Sequence, residues 1–454
     1  MEVAADIMAS TQNRVVVGLG VTGLSCARFL RERGLPFVVV DTRDQAPGLD
    51  VLSREMPDVS VYAGDYPASL IEDALELVVS PGVAMNADIV MQAQSADVAV
   101  VGDIDLFVRE AGAPVIGITG SNAKSTVTEM VGEMAAQAGL NVGVGGNLGT
   151  PALALLSDER ELYVLELSSF QLERAGQLGL AVATVLNLSE DHMDRHGTMR
   201  AYRSAKHRIF RGCKAVVMNP SDPLSVPLVN TQVEQISWCM SEPLSNGFGL
   251  RTVDAQEFLY RGTEQLLPTQ ALSLPGRHNI ANALAALALG YAAGLPLNAM
   301  LTTLRTFKGL PHRCEPIAVI AGVSFVNDSK GTNIGATQAA LSGLGGDQDI
   351  LLIAGGQGKG ADFSQLRDAV SQHCKHVILL GEDADMLRAA LSGAAELKNA
   401  SSMAEAVALA AAAAVAGDCV LLSPACASFD MFSGYEARGD AFRAAVLERS
   451  GGVA

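Results

Sequence analysis

The stretch Gly117-Ile118-Thr119-Gly120-Ser121-Asn122-Ala123-Lys124-Ser125-Thr126 constrains the fold of this chain more than any other. An apolar run from Ala113 to Ile118 feeds a glycine-bearing turn, and a helix-compatible segment follows from near Val127. A strand that delivers a turn onto a helix N-terminus is the repeating unit of open α/β sheets. It also builds an anion site, because free N–H groups and the positive helix end converge there. A lysine at that point can reach the β and γ phosphates, and a Ser or Thr hydroxyl can ligate Mg²⁺. The stretch therefore predicts a phosphate loop for a nucleoside triphosphate. Two positions depart from the common G-x-x-x-x-G-K-[ST] form, since Ile118 and Ala123 stand where it has glycine. If position 123 needs φ > 0, alanine carries a backbone penalty; if it is already helical, the exchange is nearly silent. With the rest of the loop intact, the helical conformation is expected.

The 454 residues exceed one ordinary core, and the length predicts about three domains. A net charge of −17 excludes a broad basic face, so neither nucleic acid nor membrane insertion is expected, and nucleotide binding must rest on local cations and backbone donors. Cys26, Cys213, Cys239, Cys314, Cys374, Cys419 and Cys426 are odd in number and never in C-x-x-C spacing, which predicts reduced thiols in a cytoplasmic protein. No basic stretch followed by an apolar one marks the first residues, so no secretory leader is expected. The alanine-rich run Ala406 to Ala416 is too short to span a bilayer and predicts a buried helix.

Short β-rich runs alternate with helix-like segments, which predicts stacked βα units and largely parallel sheets. Three α/β domains in series follow, over residues 1–103, 104–309 and 310–454: a Rossmann-like domain, a P-loop ATPase-like domain and a second Rossmann-like domain. Strands are expected at Arg14–Gly20, Pro36–Asp41 and Leu75–Ser80, then at Val115–Thr119, Leu162–Glu166, Ala183–Asn187 and Ala215–Asn219. Further strands are expected at Ser324–Asn327, Asp349–Ala354, His376–Leu380 and Asp418–Ser423. Thr231–Pro268 is mixed in polarity and predicts short antiparallel strands on a sheet edge.

Each domain carries polar clusters where strands end. Gly18-Leu-Gly20-Val-Thr-Gly23 follows a strand, with Asp41 closing the next, which fits a dinucleotide fingerprint. It is equally compatible with a tight packing turn or with the diphosphate of a nucleotide-bearing substrate. Ser80-Pro-Gly82 offers a second phosphate-facing turn. Glu166 ends a strand and is placed to hold Mg²⁺, and Asn187 to His196 crowds acids and imidazoles at a similar edge. A D-H-x-D zinc hydrolase site is the rival there; the phosphate loop favours Mg²⁺, which suits hard oxygen ligands. Arg313, Lys330 and Lys359 supply three cations in a chain rich in acid, enough for an anionic co-substrate.

In order along the chain, GITGSNAKST, LELSSFQL, NLSEDHMDRH, YRSAKHRIF, GRHNIANALAALAL, GLPHRCE, NDSKGTN, GGQGKGADF and SPACASFDMF resemble the motifs of one family. That family is the Mur ligases, ATP-dependent amide-bond ligases of peptidoglycan synthesis, and the resemblance covers essentially the whole chain. The third-domain motifs favour the member that joins D-glutamate to UDP-N-acetylmuramoyl-L-alanine. The resemblance implies that Gly18–Gly23 meets a uridine diphosphate rather than NAD. Val21, Thr22, Asp41, Thr42 and Arg43 would border the uracil and ribose, with Ser80, Gly82 and Asn147 near the diphosphate.

It further implies that Gly120, Ser121, Asn122, Ala123, Lys124, Ser125 and Thr126 receive ATP, with Ser125, Glu166, His192 and Lys206 around two Mg²⁺ ions. Lys206 corresponds to a lysine carbamylated in the family, a change that turns a cation into an oxygen anion. From its own neighbours it reads as a solvated helix lysine. Asn279 and Asn282 would approach the adenine, and Arg313 and Asp328 the ribose or phosphates. Lys330, Thr332, Lys359, Ser428 and Tyr435 would hold D-glutamate. The implied reaction runs through an acyl phosphate, with Lys124 stabilising charge, His192 as a candidate base for the amine, closure of the third domain over the centre, and a monomeric enzyme. A sibling ligase for another amino acid, an NAD-linked oxidoreductase and a P-loop protein without ligase activity remain the alternatives.

Overall fold

The computed structural model describes residues 13–450. They form two compact units. The first takes in the described residues through Asn187 together with Arg203–Leu267 and Leu284–Leu304; the second takes in Leu188–Tyr202, Pro268–Ala283 and the described residues from Arg305 onward.

The first unit opens with a five-stranded sheet of β1 (Arg14–Val17), β2 (Phe37–Asp41), β3 (Val61–Ala63), β4 (Glu76–Val79) and β5 (Ala99–Val101), in the order β3-β2-β1-β4-β5. Every pairing in it is parallel. Val15, Val17, Val38, Val40, Leu77 and Val79 share one core, and the continuous apolar runs reflect burial on both faces. Strand order reverses between β1 and β4, so the turns that follow these two strands flank one crevice.

The second sheet of that unit has β6 (Val115–Thr119), β7 (Val142–Gly146), β8 (Leu162–Glu166), β9 (Val182–Val185), β10 (Ala215–Met218) and β11 (Glu234–Ser237), ordered β11-β10-β9-β6-β8-β7 and again parallel throughout. The phosphate-loop strand β6 is flanked by β8 and β9, so three strand ends meet at one edge. Helix Lys124–Gln137 lies against this sheet through Val127, Met130, Val131 and Met134. Its Gly132 is required there, because a Cβ would come 2.5 Å from a methyl of Val144. Instead of lining the edge of the main sheet, the segment after β11 makes its own three-stranded sheet of β12 (Phe248–Val253), β13 (Gln256–Arg261) and β14 (Glu264–Pro268), in which β12 and β13 are antiparallel. The isolated bridge Trp238–Phe248, the Cys239 N–H bonded to the Phe248 carbonyl at 3.0 Å and the edge-on contact of Phe248 with Tyr291 tie it back.

The second unit holds a six-stranded sheet of β15 (Glu315–Ile320), β16 (Val323–Asn327), β17 (Ile350–Gly355), β18 (Cys374–Leu380), β19 (Glu396–Asn399) and β20 (Cys419–Leu422). Its order is β15-β16-β20-β17-β18-β19, with β15 antiparallel at one edge. Helix Met403–Ala413 buries one face, Met403, Ala406, Val407 and Ala410, and is capped by the Ser402 side chain. No helix among the described residues is long and apolar enough to cross a membrane. All seven cysteines are unpaired, five of them buried, as the reduced reading expects.

Candidate active site

At the end of β6 the chain makes the predicted loop, but not in the expected conformation. Ala123 is left-handed, with φ 67° and ψ −4°, and is the N-cap of helix Lys124–Gln137. The helical expectation is overturned. The reason is the loop itself: successive N–H groups face one concavity only where a left-handed residue precedes the helix, and alanine there costs roughly 1–2 kcal/mol. The strain persists because both flanks are fixed. Ser121 N–H donates to the Asn187 carbonyl at 2.9 Å, and Asn122 N–H donates to Asn187 Oδ1 at 2.8 Å. Asn187 returns a bond from its amide to the Asn122 carbonyl. Asn187 is thus a loop anchor that the motif reading did not single out, signalled only by its place at the end of β9.

Lys124 folds back on its own loop, its Nζ donating to the carbonyls of Gly120 at 2.9 Å and Ser121 at 2.8 Å. The Ser125 hydroxyl donates to Glu166, which is 2% exposed and closes β8. Asn147 donates to the other Glu166 oxygen at 2.6 Å. A hydroxyl, a carboxylate and an amide carbonyl are hard oxygen donors, so these residues fit Mg²⁺ rather than zinc. No cluster of three or more His, Cys, Asp or Glu suited to a metal occurs among the described residues. Lys206 is buried, 2% exposed, rather than solvated, and its Nζ lies 3.2 Å from Thr119 Oγ1 at the start of the loop. Thr119 in turn donates to the Leu167 carbonyl. Lys124, Ser125, Glu166, Asn147 and Lys206 are thereby brought together.

The crevice of the first sheet is built from the turns after β1 and β4. Gly18 has φ 90°, and a Cβ on Gly23 would sit 1.9 Å from the Gly18 carbonyl, so glycine at 23 lets the helix Val21–Glu32 start against the turn. Ser80 Oγ donates to the Gly18 carbonyl at 2.7 Å. Asp41 accepts from the Leu19 N–H at 2.7 Å and from Arg43 through its guanidinium Nε and Nη2 and its backbone N–H. The Arg43 guanidinium, seconded by these N–H donors, holds the Asp41 carboxyl down at about 2. Val21, Thr42, Arg43 and Gly82 are exposed and Thr22 half-buried around it.

In the second unit the loops after β16, β17 and β20 are stitched together. Gln357 and Ala427 exchange backbone bonds at 3.0 and 2.8 Å. Arg438, 2% exposed, donates to the carbonyls of Ser329, Cys426 and Ala427 and to Ser329 Oγ. It was not legible from the motifs, because its partners are backbone oxygens that no side-chain pattern marks. Lys330 Nζ sits 3.6 Å from the centre of the Tyr435 ring, a cation–π contact. Lys359 is left-handed, Ser428 is buried, and Thr332 N–H donates to the Lys330 carbonyl. Asp328 accepts from Ser423 Oγ at 2.7 Å and Cys314 N–H at 3.2 Å, and burial pushes its carboxyl up to about 6. Arg313 lies between the left-handed His312 and Cys314. Asn279 and Asn282 bond to one another at 3.2 Å in helix Arg277–Ala292. His192 belongs to this unit, left-handed, with Nε2 3.6 Å from Asp191; the Ser125–Glu166–Lys206 group belongs to the first.

Three family models match the chain in series: the Mur ligase MurD-like N-terminal domain over residues 12–102, the Mur ligase middle domain over 118–290, and the Mur ligase glutamate ligase domain over 312–426. The chain belongs to the Mur ligase family and is an ATP-dependent ligase. It is 53% identical over 443 residues to the UDP-N-acetylmuramoylalanine–D-glutamate ligase of Pseudomonas fluorescens, covering 97% of this chain and 99% of that one. It is 52% identical over 445 residues to the enzyme of the same name from Pseudomonas aeruginosa, covering 98% and 99%. Among solved structures, a pseudomurein peptide ligase type C from Methanothermus fervidus shares the fold, with a TM-score of 0.61 at 18% identity, covering 97% of this chain and 100% of that one.

Proposed function

We propose that this protein adds D-glutamate to UDP-N-acetylmuramoyl-L-alanine, converting ATP to ADP and phosphate, in the assembly of peptidoglycan. The observation that carries the reading is its extent: half the residues agree, end to end, with ligases named for that reaction. Within it, residues 1–103 receive the UDP-sugar, 104–309 ATP, and 310–454 the amino acid. Gly18–Gly23, Val21, Thr22, Asp41, Thr42, Arg43, Ser80 and Gly82, with Asn147 from the middle domain, are assigned to the UDP-sugar. Asn279, Asn282, Arg313 and Asp328 are assigned to the nucleoside of ATP, and Lys330, Thr332, Lys359, Ser428 and Tyr435 to D-glutamate.

The chemistry divides into two transfers. The alanyl carboxylate oxygen attacks the γ-phosphorus, the bond to ADP breaks, and an acyl phosphate forms. The D-glutamate nitrogen then attacks the acyl carbon, phosphate leaves, and the amine gives up a proton, for which His192 is the candidate acceptor. Lys124, released from the Gly120 and Ser121 carbonyls, neutralises charge on the transferring phosphoryl group, and the loop N–H groups fix its position. Ser125 and Glu166 would hold Mg²⁺, which would supply Lewis-acid charge at the phosphates. Carbamylation of Lys206 would join its neutral amine nitrogen, formed by loss of the ammonium proton, to carbon dioxide with loss of a second proton, giving oxygen donors for a second Mg²⁺; the burial of Lys206 beside Thr119 supports a role there. The same reading makes the enzyme a cytoplasmic monomer, in keeping with its unpaired cysteines.

The test offers D-glutamate, L-glutamate and a diamino acid in turn, with ATP, Mg²⁺ and the UDP-sugar, and weighs the product by mass spectrometry. A product with D-glutamate alone is expected. Equal or better product with another amino acid would replace this reading by a sibling ligase.

A further inference from the structure

Eight residues beyond β8, the neighbour of the phosphate-loop strand, the structure makes a connection that no motif announced. The stretch that leaves β8 at Glu166 runs through a short helix, Ser169–Leu172, closed by a reciprocal Ser168–Gln171 capping box, to Arg174. The Arg174 side chain is fully buried. Its Nη1 donates to the carbonyls of Ser80 at 2.7 Å and Val79 at 3.3 Å, and its Nη2 to those of Pro81 at 3.2 Å and Val83 at 3.1 Å. Nε turns back to the Phe170 carbonyl at 2.8 Å, and Glu173 balances the charge at 2.9 Å. One guanidinium thus grips the whole turn after β4.

That turn is not an isolated surface loop. Ser80 Oγ donates to the Gly18 carbonyl, and Ser80 and Val83 press so closely on Gly18 that a Cβ there would lie 2.9 Å from Val83 and 3.1 Å from Ser80. Whatever fixes Ser80–Val83 therefore fixes the Gly18–Gly23 turn as well. The other end of the strut is equally fixed. Gln171 donates to Asp103 at 2.8 Å, and the Gly176 N–H donates to Asp105 at 2.8 Å. Glu166, eight residues before Arg174, is bonded to Ser125 of the phosphate loop. A rigid run of chain consequently spans from the phosphate loop to the turn that faces the first crevice.

We infer that Arg174 is a positioning residue for the UDP-sugar: it holds the Ser80–Val83 turn in register with the phosphate loop through the Glu166–Arg174 strut. The inference rests on the assignment of the first crevice to the UDP diphosphate. Physically, the alanyl carboxylate must lie in line with the γ-phosphate, and a small misplacement of either end is costly to the rate. Arginine suits the task because its planar fork reaches several carbonyls at once, which lysine's single ammonium cannot. Gly102 is part of the device, since a Cβ there would meet Arg174 Cγ at 3.0 Å and Cδ at 3.1 Å.

Arg174→Gln, Arg174→Lys and Gly102→Ala test it, each melted first and then assayed for KM of the UDP-sugar, KM of ATP and kcat. UDP-N-acetylmuramoyl-L-alanine is also titrated calorimetrically into each protein. Losing charge-assisted bonds predicts a rise of about tenfold or more in KM and Kd of the UDP-sugar for Arg174→Gln, with KM of ATP within about twofold of the original. Arg174→Lys should recover part of the affinity, and Gly102→Ala should move it in the same direction as Arg174→Gln by less. If Arg174→Gln does not fold, the other two variants decide. Unchanged affinity for the UDP-sugar in folded variants, or equal losses for both substrates tracking a fall in Tm, would overturn the inference. If the unaltered protein fails to bind the UDP-sugar, the assignment beneath it falls instead.

Discussion

Asp41 and Asp328 are the same residue type in the same kind of place, at the C-terminal end of a parallel strand, yet their carboxyls are driven in opposite directions. Asp41 closes β2 and is met by an N–H at Leu19 and by a bidentate Arg43, so it is held as an anion, at about 2. Asp328 follows β16 and is met mainly by the neutral donors Ser423 and Cys314, with Arg313 a lesser influence, and burial wins, lifting it to about 6. The contrast teaches that the neighbours of an acid at a strand end decide its charge. A fixed anion organises the first crevice; in the second unit the carboxyl is poised to change charge near neutral pH.

The largest effect should come from breaking the anionic end. Asp41→Ala strands the Leu19 N–H and the Arg43 guanidinium, and should cost about 2–3 kcal/mol in urea unfolding at pH 7, with weaker UDP-sugar binding. The group's folded pKa lies below its unfolded one, so its stabilisation is present above about pH 4 and is lost as pH falls towards 2. The gap between the protein and Asp41→Asn should close in that window; a gap constant with pH would break the comparison. Asp328→Asn should do the reverse. A folded pKa raised to about 6 favours the protonated folded state, so stability conferred by Asp328 falls as pH rises from about 4 to 6. Relative to Asp328→Asn, the protein should lose on the order of 1–2 kcal/mol across that range, read as a pH-dependent difference in Tm. No change of the difference with pH would mean that Asp328 is held ionised after all.

The smallest predicted effect sharpens the same point with backbone in place of charge. At Ala123 the surroundings override the residue's preference for φ < 0, and Ala123→Gly should raise stability by about 1 kcal/mol, net of glycine's unfolded-state entropy, without lowering activity. A destabilised Ala123→Gly would show that the left-handed conformation is not strained.

Much of this was legible in the sequence because parallel strands buried on both faces read as unbroken apolar runs, as at Val15–Val17 and Leu351–Ala354. The strands that escaped are the short β3 and β5, the glycine-rich β7 (Val-Gly-Val-Gly-Gly), the proline-bearing edge strand β15 and the polar edge strand β19 (Glu-Leu-Lys-Asn), where that signal is diluted. At the site, Lys124, Ser125 and Glu166 could be found because strand ends and spacing put them there. The conformation of Ala123 could not, since its φ is imposed by where the loop N–H groups must point. Arg174 and Arg438 were invisible for a related reason: each grips backbone carbonyls, Arg174 from about ninety residues away, and no residue pattern records a carbonyl. The burial of Lys206 brings its Nζ to Thr119 on β6, which its charged neighbours in sequence do not reveal.

In a ligase that works through an acyl phosphate, phosphate release is expected only when an amide is made. The most direct measurement follows phosphate with ATP, Mg²⁺ and UDP-N-acetylmuramoyl-L-alanine, first without and then with D-glutamate. Steady release that begins only on addition of D-glutamate, one phosphate for each molecule of amide product, is the predicted result. Sustained release without D-glutamate, or ATP consumption with no amide, would contradict the account.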